Sequence, residues 1–376
     1  MPVPLPAPAE TLLVPPDATE ATFLARGMVT AVAPDGGLTP LQSTLLDALF
    51  VSLTGFHADL SQAPIDPRSF AQGLACRNEA FRTRVLQMMI LNALVLRPLP
   101  QDVADRVTSF ATELSVGDGM LQVARAYARG HLGLAAIDFE RNGYTSEWSD
   151  THRDTLHTSA ELADAWQLSV DDPALSARWQ ALEALPEGTL GRRVTEFYRA
   201  RGFVYPGQVG SAPPLLAQHD WVHVVADYGT KVESELEVFA FIARANDDPK
   251  GFSLLAMVVS LFETGYMRRG AGLFEASPGQ LSREGVAVRV ADALRRGALC
   301  AGSVDFMATD WFELAAVPVA EAQERFGITA KSDEAVGAGS VGPWEAGGIS
   351  EYQLRTGRAL AETEGREYEG YGATIA

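Results

Sequence analysis

The stretch Gln218-His219-Asp220-Trp221-Val222-His223, continuing through Asp227-Tyr228-Gly229-Thr230 to Glu233-Ser234-Glu235, gathers the groups in this chain best suited to chemistry. The chain has only six histidines in 376 residues, and two of them stand here four positions apart. On a helix that spacing puts both imidazoles on one face, with Cβ atoms roughly 6 Å apart, a reach that suits one metal ion. Asp220 follows His219 directly and can add an oxygen ligand or orient an imidazole from outside the ligand set. Asp227-Tyr228-Gly229 carries a helix-ending glycine signal, and Thr230-Lys231-Val232-Glu233 reads as a capping box that starts a second helix. Glu235 then falls in the first turns of that helix, and a helix-turn-helix can fold its carboxylate back toward His219 and His223. The result would be a site of two nitrogens and one or two oxygens, with positions left for water or substrate. Spacing alone leaves a metal site and a plain structural role open. The zincin pattern needs Glu directly after the first His, and this chain has Asp.

His219-Asp220-x-x-His223, eleven residues and then Glu235 resembles the signature of the coenzyme Q (ubiquinone) biosynthesis protein four family. Two flanking segments agree in order. Leu185-Pro186-Glu187-Gly188-Thr189-Leu190-Gly191 with Phe197 is similar to the family's opening segment, and Asp310-Trp311, Pro318 and Glu324-Arg325-Phe326-Gly327-Ile328 to its close. The resemblance spans about residues 180–330, somewhat under half the chain. It implies that His219, Asp220, His223 and Glu235 are ligands of a divalent metal, zinc being the first expectation, with Asp220 and Glu235 also the catalytic candidates. It further implies a partner of isoprenoid character, a prenylated quinone precursor or isoprenoid lipid held between apolar helices, with other quinone-biosynthesis proteins as companions.

The elements that must position these residues read as helices throughout, so the expected fold class is all-α, with two helical domains and the second built around the metal-binding helix-turn-helix. Residues 1–40 hold eight prolines and little periodicity, which predicts an irregular arm. From 41 to 145 short helices follow one another. Leu45, Leu46, Leu49, Phe50 and Leu53 form one stripe, Glu79 to Leu96 is apolar nearly all round, and Val103, Val107, Phe110, Ala111 and Leu114 mark an amphipathic helix. Gly117-Asp118-Gly119 breaks that helix, and Leu121, Ala124 and Ala128 continue the pattern in another. This rhythm vaguely resembles the TerB-like fold of tellurite-resistance proteins, but that family's acidic metal positions do not map here, and none is carried over. Residues 146–180 read as a polar connecting helix. His152 and His157 within it stand five apart, on different helical faces, which argues against a second metal cluster.

The second domain, 181–330, opens with the stripe Leu190, Val194, Phe197 and Tyr198. After the two motif helices, Asp247-Asp248-Pro249 supplies a cap and a helix-starting proline. The helix that follows is the most apolar of this half. By resemblance Leu254, Leu255 and Val258 would line a prenyl-chain tunnel, with Arg268 and Arg269 meeting a phosphate or carboxylate headgroup. Taken bare, the same helix is a core helix, and its arginines complement a helix dipole. Ala287 to Cys300 is another helix, and Val319 to Phe326 is expected to be the last. From Lys331 on, eight acidic and four basic residues in a glycine-rich stretch predict a tail, 331–376, that packs only loosely.

A net charge of −18 excludes a nucleic-acid partner, because no basic stripe exists to displace counterions from phosphates. Hydrophobic residues make up 47% of the chain, enough for a sizeable core. Cys76 and Cys300 match no metal spacing, and both are expected to be buried reduced thiols of a cytosolic chain. The start lacks the regions of a signal peptide, and the longest uncharged apolar run, Gly251 to Phe262, falls short of the roughly 20 residues a membrane span needs. These readings point to a cytoplasmic protein whose contact with the inner face of a membrane would be peripheral and apolar, with a homodimer expected for a lipid-holding helical chain. Two functions fit. One is a metal-dependent lyase of ubiquinone biosynthesis that removes a ring carboxylate by oxidative decarboxylation. The other is a non-catalytic lipid-binding scaffold in which the metal fixes two helices together. A purely structural metal site is the third and plainest reading. No dinucleotide or haem motif supplies electrons for the oxidative reading.

Overall fold

The computed structural model describes residues 12–61, 63–116, 171–212, 214–247, 249–259, 263, 279–300 and 304–368. Among these residues the chain is all-α, with no strand beyond one isolated bridge between Thr189 and Pro318. The helices in chain order are α1 (Ala18–Val32), α2 (Pro40–Thr54), α3 (Pro67–Gly73), α4 (Glu79–Leu94), α5 (Gln101–Glu113), α6 (Pro173–Ala181), α7 (Leu190–Arg201), α8 (Pro214–Val225), α9 (Val232–Ala245), α10 (Pro249–Val259), α11 (Val286–Ala298), α12 (Trp311–Leu314), α13 (Val319–Phe326), α14 (Asp333–Gly337) and α15 (Glu351–Thr363). The expected helix through Leu121 to Ala128, His152 and His157, Asp248, Arg268 and Arg269, and the side chain of Leu254 lie outside the described residues.

The core is centred on α9, whose residues from Ser234 to Ala245 are all buried. Helix α11 packs along it, and backbone contact makes the approach close. A Cβ on Gly297 would stand 2.5 Å from the Phe241 carbonyl oxygen, and one on Gly251 of α10 would stand 3.1 Å from the Ala243 oxygen. On its other side α11 meets α2, while α10 meets α4, so the first five helices share one apolar core with those that follow. Arg84 of α4 is buried in that junction. Its guanidinium donates to the Asn246 carbonyl (2.9 Å) and covers the Phe252 ring at 4.1 Å.

Several sequence expectations need correction. Residues 1–40 are not an irregular arm throughout, because α1 is a helix with Leu24 and Met28 buried at helical spacing. Its cap is Asp17, which accepts from Thr19 N and Glu20 N at 2.9 Å each, and Pro15, Pro16, Pro34 and Pro40 all fall outside it. Prolines that border a helix leave its interior free to form. Helix α13 is not the last, and the described part of the segment after Lys331 does not pack loosely. Helix α15 lies on α7, with Gly357 so near the Ala200 oxygen that a Cβ would stand 2.1 Å from it. Glycine there serves close approach. Of the cysteines, Cys300 is buried, its thiol donating to the Arg296 carbonyl (3.7 Å) and pushed up to about 12 by burial. Cys76 is exposed, in the turn after α3, where no apolar helix covers it.

Replacing Gly297 by Ala should therefore cost about 1–3 kcal/mol through overpacking of α11 against α9, read by urea unfolding. Gly337→Ala, where nothing stands within 4 Å of the added Cβ, should change stability by less than about 0.5 kcal/mol.

Candidate metal centre at the α8–α9 turn

Helix α8 carries His219 and His223 on one face, and the turn from Ala226 to Lys231 reverses the chain so that Glu235 of α9 returns to them. The turn is built differently from the sequence signals. The left-handed residue is Asp227, at φ 63°, a conformation Asp tolerates better than most residues. The Tyr228 amide then closes on the His223 carbonyl at 2.9 Å. Gly229 is needed instead for contact, since a Cβ on it would stand 2.7 Å from Gly348 Cα. The expected Thr230 capping box is absent. The residue before α9 is Lys231, without a side-chain cap, because the Thr230 hydroxyl is engaged elsewhere: it donates to Gln353 Oε1 (2.6 Å) and accepts from Arg201 Nε (2.9 Å).

One ligand atom each from His219, His223 and Glu235 lies within 4.8 Å of the others, and all three residues are buried. His223 Nε2 is 3.4 Å from Glu235 Oε1, and His219 Nε2 is 3.7 Å from Glu235 Oε2. The other ring nitrogens face backbone carbonyls, His219 Nδ1 that of Leu216 and His223 Nδ1 that of Tyr228 at 3.3 Å. A carbonyl can only accept, so each Nδ1 carries a proton, and each Nε2 faces the carboxylate. Phe239 stacks on the His219 ring (5.5 Å between centroids) and Phe197 on that of His223 (5.7 Å), which holds both ring planes. The set of two imidazole nitrogens and one carboxylate can hold a divalent cation of the zinc type.

Asp220 is buried beside this group and outside the mutually close set. Its Oδ2 accepts from the Tyr198 hydroxyl at 2.5 Å, and its Oδ1 stands 3.7 Å from His219 Nε2. Leu255 and Val258, proposed from sequence for a lipid wall, are buried in the shared apolar core.

Sequence reasoning missed the groups that orient the centre. Tyr198 was read only as part of an apolar stripe, and nothing local betrays a hydroxyl whose partner is 22 positions away. Arg201 was not singled out. It is fully buried, with its guanidinium 3.8 Å over Phe197, and it donates to Thr230 and to the carbonyls of Pro343 (3.0 Å) and Gly348 (3.1 Å). Glu237, two positions beyond Glu235 on α9, is occupied differently: Arg289 Nη2 donates to it at 2.5 Å, and so does the Ser340 hydroxyl.

No protein-family model matches the chain, and no curated protein matches it. Among solved structures it is similar to the crystal structure of a candidate ubiquinone biosynthesis protein from Nostoc punctiforme PCC 73102, with 21% identity over 66% of this chain and 98% of that one and a TM-score of 0.28. A likeness that loose carries no residue roles across.

The two buried glutamates of α9 should separate in their effects. Glu237→Ala leaves the Arg289 charge buried without its carboxylate and should lower stability by about 3–5 kcal/mol in urea unfolding. Glu235→Gln, whose ion-pair partners are the two imidazoles rather than a guanidinium, should cost distinctly less in metal-free protein.

Proposed function

We propose that this chain holds one divalent cation, zinc in the first instance, on His219, His223 and Glu235, and that it binds a prenylated quinone precursor, either acting on the ring carboxylate or presenting the molecule to other enzymes. The observation that supports the cation is the convergence of two imidazole nitrogens on one buried carboxylate, with both Nδ1 protons already directed to backbone carbonyls. Two imidazole nitrogens and a carboxylate brought this close together in a dry interior make a donor set for positive charge. A divalent ion satisfies all three at once. The quinone reading rests on the sequence resemblance, and three of its four motif residues, His219, His223 and Glu235, are the proposed donors.

When bound, such a cation polarises a carboxylate or phenolate through an open coordination position. The chain's own residues supply the rest. The carbonyls of Leu216 and Tyr228 fix the tautomers, Phe197 and Phe239 fix the ring planes, and Asp220 adds negative charge at the edge of the site. Zinc does not change oxidation state, so an oxidative decarboxylation would take dioxygen with a redox-active ion, or a separate electron carrier, as co-reactant.

The burial of all three donors favours the scaffold reading, in which the cation locks α8 to α9 and the lipid is carried by the apolar helices. Among the described residues no helix is long and apolar enough to cross a membrane.

Native mass spectrometry of the purified full chain should find about one divalent cation per chain, and His223→Ala should lose it. Full retention in that variant would remove the site as drawn. Incubation in air with a prenylated hydroxybenzoate separates the two roles: release of carbon dioxide supports the enzyme, and tight binding without release supports the scaffold.

A further inference from the structure

We infer that Tyr198 is a positioning residue of the cation site, acting through Asp220: its hydroxyl holds that carboxylate beside the donor set and keeps it out of the first coordination sphere. The inference rests on the proposed cation. Tyr198 belongs to α7, not to the motif, and both side chains are fully buried. The phenol donates to Asp220 Oδ2 at 2.5 Å, and this fixes where the other oxygen points, 3.7 Å from His219 Nε2, the same nitrogen that faces Glu235. Asp220 thus has its charge on the cation's side of the imidazole while one of its oxygens is committed elsewhere.

The ring of Tyr198 is itself held. Trp179 lies 5.0 Å away between centroids, Phe203 5.6 Å edge to face and Tyr205 5.6 Å. An anchored phenol gives its partner little freedom, and a hydroxyl that donates to a carboxylate makes a stronger hydrogen bond than one between neutral groups. A carboxylate that lost this donor inside a dry interior would turn to the nearest positive charge, and that charge would be the cation. The sequence pattern leaves Asp220 either a ligand beside His219, His223 and Glu235 or a group outside their set. The phenol divides them, three to hold the ion and one to set the field around it.

The test uses the full chain stripped of metal and titrated with cobalt(II), whose visible bands report the number and kind of its ligands. Tyr198→Phe keeps the ring and removes only the hydroxyl. The bands of this variant should shift from the wild-type position, and Tyr198→Phe with Asp220→Asn should bring them back toward it, because the amide is a much poorer ligand. Asp220→Asn alone should leave the band positions close to wild type. Should Tyr198→Phe fail to fold, that single Asp220 variant still decides: unchanged bands support an outer role, and shifted bands overturn it by making Asp220 a direct ligand. Lower thermal stability of Tyr198→Phe with unchanged bands would mark a merely structural hydroxyl and overturn the inference while leaving the cation site intact. Wild-type protein that takes up neither cobalt(II) nor zinc would overturn the cation reading, and this inference with it.

Discussion

Holding two imidazoles and a carboxylate face to face, away from water, is the constraint to which the surrounding structure answers. Two imidazoles and a carboxylate 3.4–3.7 Å apart stay in that register only while their helices are not free to move. They are not free. Helix α9 is gripped by α11 at Gly297 and by α10 at Gly251, where backbone meets backbone and no side chain can yield. Helix α8 is tied through its turn, whose Ala226 carbonyl accepts from Arg296 (2.9 Å) and whose Gly229 amide donates to the Val341 carbonyl (2.9 Å). Arg201 closes the arrangement from α7 by bonding Thr230 and the chain around residues 343–348 together. The convergence is thus held by packing and by buried arginines that donate mostly to carbonyls.

How much of this was legible beforehand follows from the range of the interaction concerned. Helix existence depends on local periodicity, and the stripes of α4, α5, α7 and α9 were readable to within a few residues. The helix-turn-helix around His219, His223 and Glu235 was readable too, because four-residue spacing and a chain reversal are short-range properties. The details of that turn were not. Thr230 has the right residue type for a cap, yet Gln353, 123 positions later, takes its hydroxyl. Gly229 looked like a left-handed helix end, but the left-handed residue is Asp227, and the glycine is spent on proximity to Gly348. The same confusion made the segment after Lys331 look loose. Composition cannot tell a glycine that lends freedom from one that permits contact.

The arrangement also bears on the choice between catalysis and carriage. A catalytic cation needs a path for substrate, whereas His219 and His223 are fully enclosed and stacked beneath Phe239 and Phe197. That enclosure suits an ion whose first task is to join α8 to α9. Asp220 and Tyr198 add a charge and a hydrogen bond that a plain clamp does not require, and they are the part of the centre through which chemistry would be tuned.

The central claim is a cation shared by His219, His223 and Glu235, and anomalous diffraction at the zinc edge from crystals of the zinc-loaded full chain tests it most directly. The account predicts one strong peak among the three side chains, roughly 2.0–2.2 Å from both Nε2 atoms and from a Glu235 oxygen. A peak elsewhere in the molecule, or ordered side chains at these positions with no peak among them, would contradict it.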